Sequence, residues 1–495
     1  MGSGDAQAAG GRRLEVEVAN FGPISRGRLT VGPVTVLVGP NNSGKTHMST
    51  LVHSVLSAYR DARADGMAGI VRAHVCGPEF RAALAEMKRA IKGAGDGGVD
   101  VPARCAEVAT SMALRHFEAK LLHSIMRNFG TGMESLVRIG SKSATIRIAY
   151  NARTKITIGD GRASVRSDFS GARYLLVAGN GRVAVRDPSG SGSPWDAGGD
   201  GDGWDAARFM VDMLGVEGDE GMVAMLMLMR RIMSGITEGV PSSRYIPSGR
   251  AMLLENYRDI AADVVRGAGE AAKSSPGEEV LTGLKRDFVS DVIRIKEKNP
   301  ARPPKRDDDM MVDMFGGHIV VLRPHNMMPS IMYRFRNADI PLHRTSSGIS
   351  ETAALPIFFD NYVHDNCVLI IDEPESHLHP ENQIKVTKHI IKGAKQRNSH
   401  VIIATHSVFI LEQLSLLLKT SQLNEKQMSA VGAKSDFCIA GKNIFPYLFV
   451  KKSDGSHTIT EMGHSPDAGI DQGEFIRVTE SLYKNYVRVE RELEK

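Results

Sequence analysis

The stretch Gly39-Pro40-Asn41-Asn42-Ser43-Gly44-Lys45-Thr46 constrains this chain more than any other. Before it, Val34-Thr35-Val36-Leu37-Val38 is apolar enough to be a strand buried on both faces. After it, apolar residues recur at helical spacing to about Tyr59. Strand, glycine-rich loop and helix in that order make a phosphate cradle: backbone N–H groups can wrap phosphate oxygens only where no Cβ intervenes, and the helix aims its N-terminal dipole at the same point. Gly39 and Gly44 meet the steric need, and the whole loop, Asn41, Asn42 and Ser43 included, would surround the phosphates. Lys45 would neutralise the β- and γ-phosphates, while Thr46 would hold Mg²⁺ through its hydroxyl.

Further along, the apolar run Cys367–Ile371 ends in Asp372-Glu373-Pro374. Two adjacent carboxylates divide labour: Asp372 would bind Mg²⁺ through water, and Glu373, on the other side, would orient and deprotonate the water attacking the γ-phosphate. A second apolar run ends in Ala404-Thr405-His406-Ser407, where His406 can contact the γ-phosphate. In Thr345-Ser346-Ser347-Gly348-Ile349-Ser350-Glu351, small residues open a helix, so Ser346, Ser347 and Gly348 can grip a phosphate or serve simply as an N-cap. Taken singly, the carboxylate pair is a solvated turn and the histidine a structural one; together with a P-loop they form a set.

Composition adds limits more than leads. At 495 residues and 42% hydrophobic the chain can bury a large core. Its 62 basic and 57 acidic residues leave a net charge of +5, so a nucleic-acid surface would have to be local. Four scattered cysteines (Cys76, Cys105, Cys367, Cys438) form no CxxC pair, which fits a reducing cytoplasm rather than a disulfide framework or zinc site. No stretch reaches the roughly 18 apolar residues needed to span a bilayer. The apolar run Met222–Met229 reads instead as a buried or partner-facing helix.

The expected architecture is α/β: a split P-loop ATPase core at 1–60 and 315–420, a helical insertion at 61–132, an antiparallel β-rich subdomain at 133–190, a second helical insertion at 204–300, and a tail at 421–495. Strands are expected at 14–20, 144–149, 154–158, 174–178, 318–322 and 401–404, with a Gly, Ser and Asp connection at 189–203. The basic stretch from Lys285 to Arg306 suits a solvated loop or a nucleic-acid contact. In the tail, a helix over about 473–493 aligns Phe475, Val478, Leu482, Tyr486, Val489 and Leu493 on one stripe, which should pack on the body or on a partner.

As a set and in this order, the P-loop, SSGISE, IIDEPESHLHP and ATHS resemble the ATPase heads of the ABC superfamily. With NFGPI near the start, RYIPSGR at 244–250 and DEPESHLHPENQ, the chain resembles OLD-like ATPases, a group that is also similar to RecF and SMC heads. The likeness spans about 1–60 and 315–415 and only patches of the middle. It implies ATP and Mg²⁺ as ligands, Lys45 and Thr46 as phosphate lysine and magnesium ligand, Asp372 and Glu373 as Walker B aspartate and catalytic glutamate, and His406 as switch histidine. It further implies that Ser346, Ser347 and Gly348 complete the site of a second copy, so that heads dimerise around ATP. Stand-alone OLD-like ATPases resemble the sensor components of PARIS- or Septu-type anti-phage systems, in which a separately encoded nuclease is the effector; a RecF- or SMC-like role on DNA is the alternative.

Several positions depart from that pattern. No glutamine occurs between Gln7 and Gln383, so the Q-loop glutamine is absent, with Ser248 or Arg250 as candidate substitutes. Ile349 follows the signature glycine, and His377 and His379 stand in the D-loop region, too few ligands for a zinc or manganese site. The roughly 89 residues after His406 carry no DxD pair, so a Toprim nuclease site is not expected within them.

Overall fold

The computed structural model describes residues 13–64, 77–93, 99–159, 162–169, 175–179, 182–186, 220–270, 281–300, 304–305, 309–323 and 328–493. The connection expected at 189–203 lies outside them, as does Gln7. The chain divides into two compact units: Met1–Leu14, Ser54–Met126 and Thr145–Val240 form one, and Glu15–His53, Arg127–Ala144 and Pro241–Lys495 form the other.

In chain order the elements begin with β1 (Glu15–Phe21), β2 (Ile24–Thr30), β3 (Val34–Val38) and α1 (Lys45–Ala64). They continue with α2 (Pro78–Gly93), β4 (Val99–Asp100), α3 (Ala103–Phe129), β5 (Ser143–Ala149), β6 (Arg153–Gly159), β7 (Arg162–Asp168), β8 (Leu175–Gly179), β9 (Arg182–Arg186) and α4 (Glu220–Thr237). Then come β10 (Ser242–Ile246), α5 (Arg250–Glu270), α6 (Gly283–Ile293), α7 (Met310–Phe315), β11 (His318–Leu322), β12 (Ser330–Phe335) and β13 (Ala338–Pro341). The last are α8 (Ser347–Asn361), β14 (Cys367–Asp372), α9 (Pro380–Gln396), β15 (His400–Thr405), α10 (Val408–Thr420), α11 (Glu425–Ala430), β16 (Ile444–Lys451), β17 (His457–Glu461) and, after two short strands, α12 (Gly473–Leu493).

The larger unit is built on a sheet in the order β10-β14-β15-β3-β16-β17-β2-β1. The run from β10 to β16 is parallel throughout. Parallel strands are covered on both faces and read as continuous apolar runs, which is why every residue of β3 and β14 is buried. Beyond β16 the sheet becomes mixed: β17 is antiparallel to β16, and β1 to β2. Register fixes what matters for the site. Asp372 pairs with Ala404, Ile371 with Ile246, and Thr405 with Val38, so the four strands end along one edge.

The smaller unit joins helices to short antiparallel strands. Phe80, Ala83, Met87 and Ile91 recur on one buried face of α2, and α4 is buried on nearly every side from Met222 to Met229. Apolar and polar residues alternate in β5 and β6, burying Ile146, Ile148, Ile156 and Ile158. β6 and β7 pair antiparallel. A separate sheet joins β4, β8 and β9.

Two sequence expectations change. β10 lies inside 204–300, expected to be helical; its five residues become a strand by pairing with β14 rather than through a strong local pattern. The 421–495 region is more than a tail, because β16 pairs with β3 and carries Pro446 within it. The strand expected at 318–322 forms, within a small antiparallel sheet with β12 and β13. Among the described side chains of α12, which do not include Val478, Phe475 packs against the core, while Leu482, Tyr486, Val489 and Leu493 are exposed.

Candidate functional site

The loop between β3 and α1 has the backbone a phosphate cradle requires. Gly39 and Gly44 take φ of +154° and +99°, and Asn42 takes +61°. A Cβ on Gly44 would lie 2.8 Å from Ile24 Cγ1, and one on Gly39 would lie 2.9 Å from Phe449 Cβ, so β2 and β16 press against the loop from behind. Helix α1 then starts at Lys45, with Met48 N–H donating to the Gly44 carbonyl at 3.0 Å. The Lys45 amine is buried and donates to the carbonyls of Gly39 and Pro40 at 2.9 and 2.8 Å. Burial pulls it below its ordinary pKa, opposed by the charges of Glu373, Glu375 and Asp372.

Asp372 ends β14 and is buried. Its Oδ2 accepts from the Tyr245 hydroxyl at 2.6 Å and its Oδ1 from Ser49 at 3.1 Å. Burial pushes its carboxyl up to about 6; hydrogen bonds from Tyr245, Ser49 and Thr46 pull the other way, and the charge of Glu373 adds to the rise. Burial also raises Tyr245 well above its usual value, so it stays a neutral donor. Glu373 follows at φ +48°, its N–H bonded to the Ala404 carbonyl at 2.8 Å, and its carboxylate stays partly exposed.

Across the strand ends, the carboxylate of Glu375 organises the histidine. Its Oε1 accepts from Thr405 Oγ1 at 2.7 Å and from His406 N–H at 2.9 Å, and lies 3.3 Å from His406 Nδ1. That ring nitrogen is 3.8 Å from Glu373 Oε1. Ser407 caps α10 and donates to Gln383 Oε1 at 2.5 Å, while Gln383 donates to the Leu378 carbonyl at 2.9 Å, tying the D-loop region to the histidine loop.

Lys45, Thr46, Asp372, Glu373 and His406 therefore lie around one sheet edge. Ser346 and Ser347 do not join them: both are exposed where α8 begins, Ser346 makes no side-chain cap, and neither hydrogen-bonds to the P-loop or the carboxylates. Gly348 is buried, with a Cβ position 3.1 Å from the His377 carbonyl. His379 accepts from Glu381 N–H as the N-cap of α9, and His377 is an exposed turn residue at φ +58°. Among the described residues no cluster of three or more metal-ligating side chains occurs.

A triphosphate fits this cradle. Ser43 Oγ is buried without a hydrogen-bond partner, and glycine at 39 and 44 lets the loop curl at positive φ with β16 and β2 packed directly behind it. Mg²⁺ fits the hard oxygens of Thr46 and Asp372, and the Thr46 hydroxyl draws the Asp372 pKa down against burial.

A family model described as an AAA ATPase domain matches residues 277–411, which include α8, Asp372, Glu373 and His406. This segment is similar to an ATPase domain. Solved structures with similarity include an SMC head bound to the C-winged helix domain of ScpA, at 12% identity and a TM-score of 0.38, covering 91% of this chain and 98% of that one. They also include the SMC head domain from Thermotoga maritima, at 10% identity and a TM-score of 0.35, covering 91% and 99%. A third is an Smc head with an extended coiled coil bound to a ScpA domain derived from Pyrococcus furiosus, at 12%, 0.36, 95% and 99%. No curated protein matches the chain.

Tyr245, Ser49, Glu375 and Arg250 belong to this region but were not assigned roles from sequence, apart from Arg250 as one candidate for a missing glutamine. RYIPSGR carried the available signal, since an apolar strand end beside a proline and glycine turn is where a sheet presents its ligands.

Proposed function

We propose that this chain is an Mg²⁺-dependent ATP-hydrolysing switch. Lys45 and the P-loop N–H groups hold the β- and γ-phosphates, Thr46 and Asp372 hold the metal, Glu373 takes a proton from the attacking water, and His406, steadied by Glu375, meets the γ-phosphate. Mg²⁺, when bound, neutralises charge on the phosphate oxygens. The observation that carries this is the register of β3, β14 and β15, which brings Lys45, Asp372, Glu373 and His406 to one edge from widely separated parts of the sequence.

The exposed Ser346 and Ser347 support a second step: two heads close on ATP, each presenting the start of α8 to its partner's nucleotide. The resemblance to OLD-like ATPases extends this to control of a separately encoded nuclease in bacterial anti-phage defence.

Steady-state turnover and size-exclusion chromatography with ATP test the proposal. Lys45→Ala is expected to lose nucleotide binding. Glu373→Gln is expected to keep it, lower kcat by about a hundredfold or more, and elute as a dimer or larger with ATP. Turnover at the wild-type rate in both variants would remove the catalytic assignment. Salt-sensitive DNA binding that strengthens with ATP, without capture of a nuclease, would favour a RecF- or SMC-like role.

A further inference from the structure

Among the described residues the largest fully buried side chain is a charged one, Arg250 at the start of α5. A buried guanidinium persists only where its donors are matched, and these are matched by backbone from three elements. Nε donates to the Glu351 carbonyl at 2.8 Å. Nη1 donates to the Asp372 carbonyl at 2.9 Å and reaches those of Glu373 and Pro247 at 3.3 and 3.4 Å, and Nη2 reaches the Glu373 carbonyl at 3.3 Å. The buried Glu351 carboxylate neutralises it from 3.4 Å. Glu351 lies one turn into α8, whose N-cap Ser346 and first residue Ser347 are exposed.

Arg250 makes no hydrogen bond to the P-loop, yet it holds both peptide carbonyls of the carboxylate pair. Glu373 sits at φ +48°, a conformation a non-glycine residue keeps only where its surroundings determine it. One clamp is Ala404, fixed within the parallel sheet. The other is Arg250, whose far anchor is a helix. Glu351 Oε2 accepts no hydrogen bond, so a small movement of α8 can tighten or loosen this ion pair.

We propose that Arg250 is a positioning residue that joins α8 to the backbone of Asp372 and Glu373, so that engagement of the Ser346–Gly348 end sets the orientation of the Glu373 carboxylate. This rests on the function proposed above.

The test compares full-length wild type, Arg250→Lys and Glu351→Gln by binding of a fluorescent ATP analogue and by steady-state ATP turnover. Lysine keeps the charge but cannot span both carbonyls; glutamine keeps the shape of Glu351 but removes its charge. Expected are analogue affinity and KM within about threefold of wild type, with kcat lowered about tenfold or more by Arg250→Lys and about threefold or more by Glu351→Gln. A purely structural role would instead lower affinity and melting temperature together. Wild-type kcat in a variant that binds the analogue normally overturns the proposal, and should Arg250→Lys not fold, wild-type kcat in Glu351→Gln suffices. Glu373→Gln run alongside separates the two ideas: if it turns over ATP like wild type, the assignment of Glu373 fails, and this proposal with it.

Discussion

Asp372 shows burial working against charge at the position where the metal would sit. Its folded pKa of about 6 lies above the reference value of 3.8. The folded state therefore holds a proton that the unfolded state has released, and stability of the metal-free protein falls as pH rises from about 4 through about 6. Above that window the ionised carboxylate costs on the order of 2–3 kcal/mol. Asp372→Asn still accepts from Tyr245 and removes the charge. It should stabilise the metal-free protein at pH 7.5 by about 1–2 kcal/mol, do little at pH 4, and abolish Mg²⁺-dependent turnover. Thermal melts at the two pH values check this; an equal gain at both would mean that desolvated charge is not the cause.

Among the elements, α12 leaves its apolar stripe largely uncovered by the body. Its pattern satisfies helical spacing, yet Leu482, Tyr483, Tyr486, Val489 and Leu493 are 71%, 67%, 61%, 58% and 81% exposed. Periodicity tells that a face is apolar and cannot tell what covers it. With so little burial, Leu482→Ser or Tyr486→Ser should change stability by no more than about 0.5 kcal/mol. A loss several times larger in chemical denaturation would mean that the stripe is covered in solution. β10 illustrates the converse. Its five residues carry a weak strand signal, but the parallel pairing with β14 carries Tyr245 to Asp372 and brings Arg250, at the start of the following helix, to the Asp372 carbonyl.

For the whole molecule, the chain must return from its far end to complete the sheet. β16 lies directly beside β3, and Phe449 stands behind Gly39. A chain ending at residue 443 should therefore fail to fold cooperatively, because β3 would lose a neighbour and the P-loop its backing. A chain ending at residue 472 should melt as a single transition and keep ATP binding. Comparison of the two by circular dichroism and nucleotide binding checks this; cooperative folding of the shorter one would show that β16 is dispensable.

How much could be read in advance follows from the range of each interaction. The sequence alone determined the P-loop and its flanking strand and helix, the buried runs ending at Asp372 and Thr405, and the residue types that crowd the site, because glycine at positive φ, apolar runs and paired carboxylates are local requirements. Only the tertiary structure decided that SSRYI pairs beside β14, that the last part of the chain joins the central sheet, and that Tyr245, Glu375 and Arg250 hold Asp372, His406 and the Glu373 backbone in place. These depend on strand register and on hydrogen bonds between residues far apart in the chain, and neither has a local pattern to announce it. The P-loop is legible because its geometry is made by neighbours in sequence; the support of Glu373 is not, because it is made by neighbours in space.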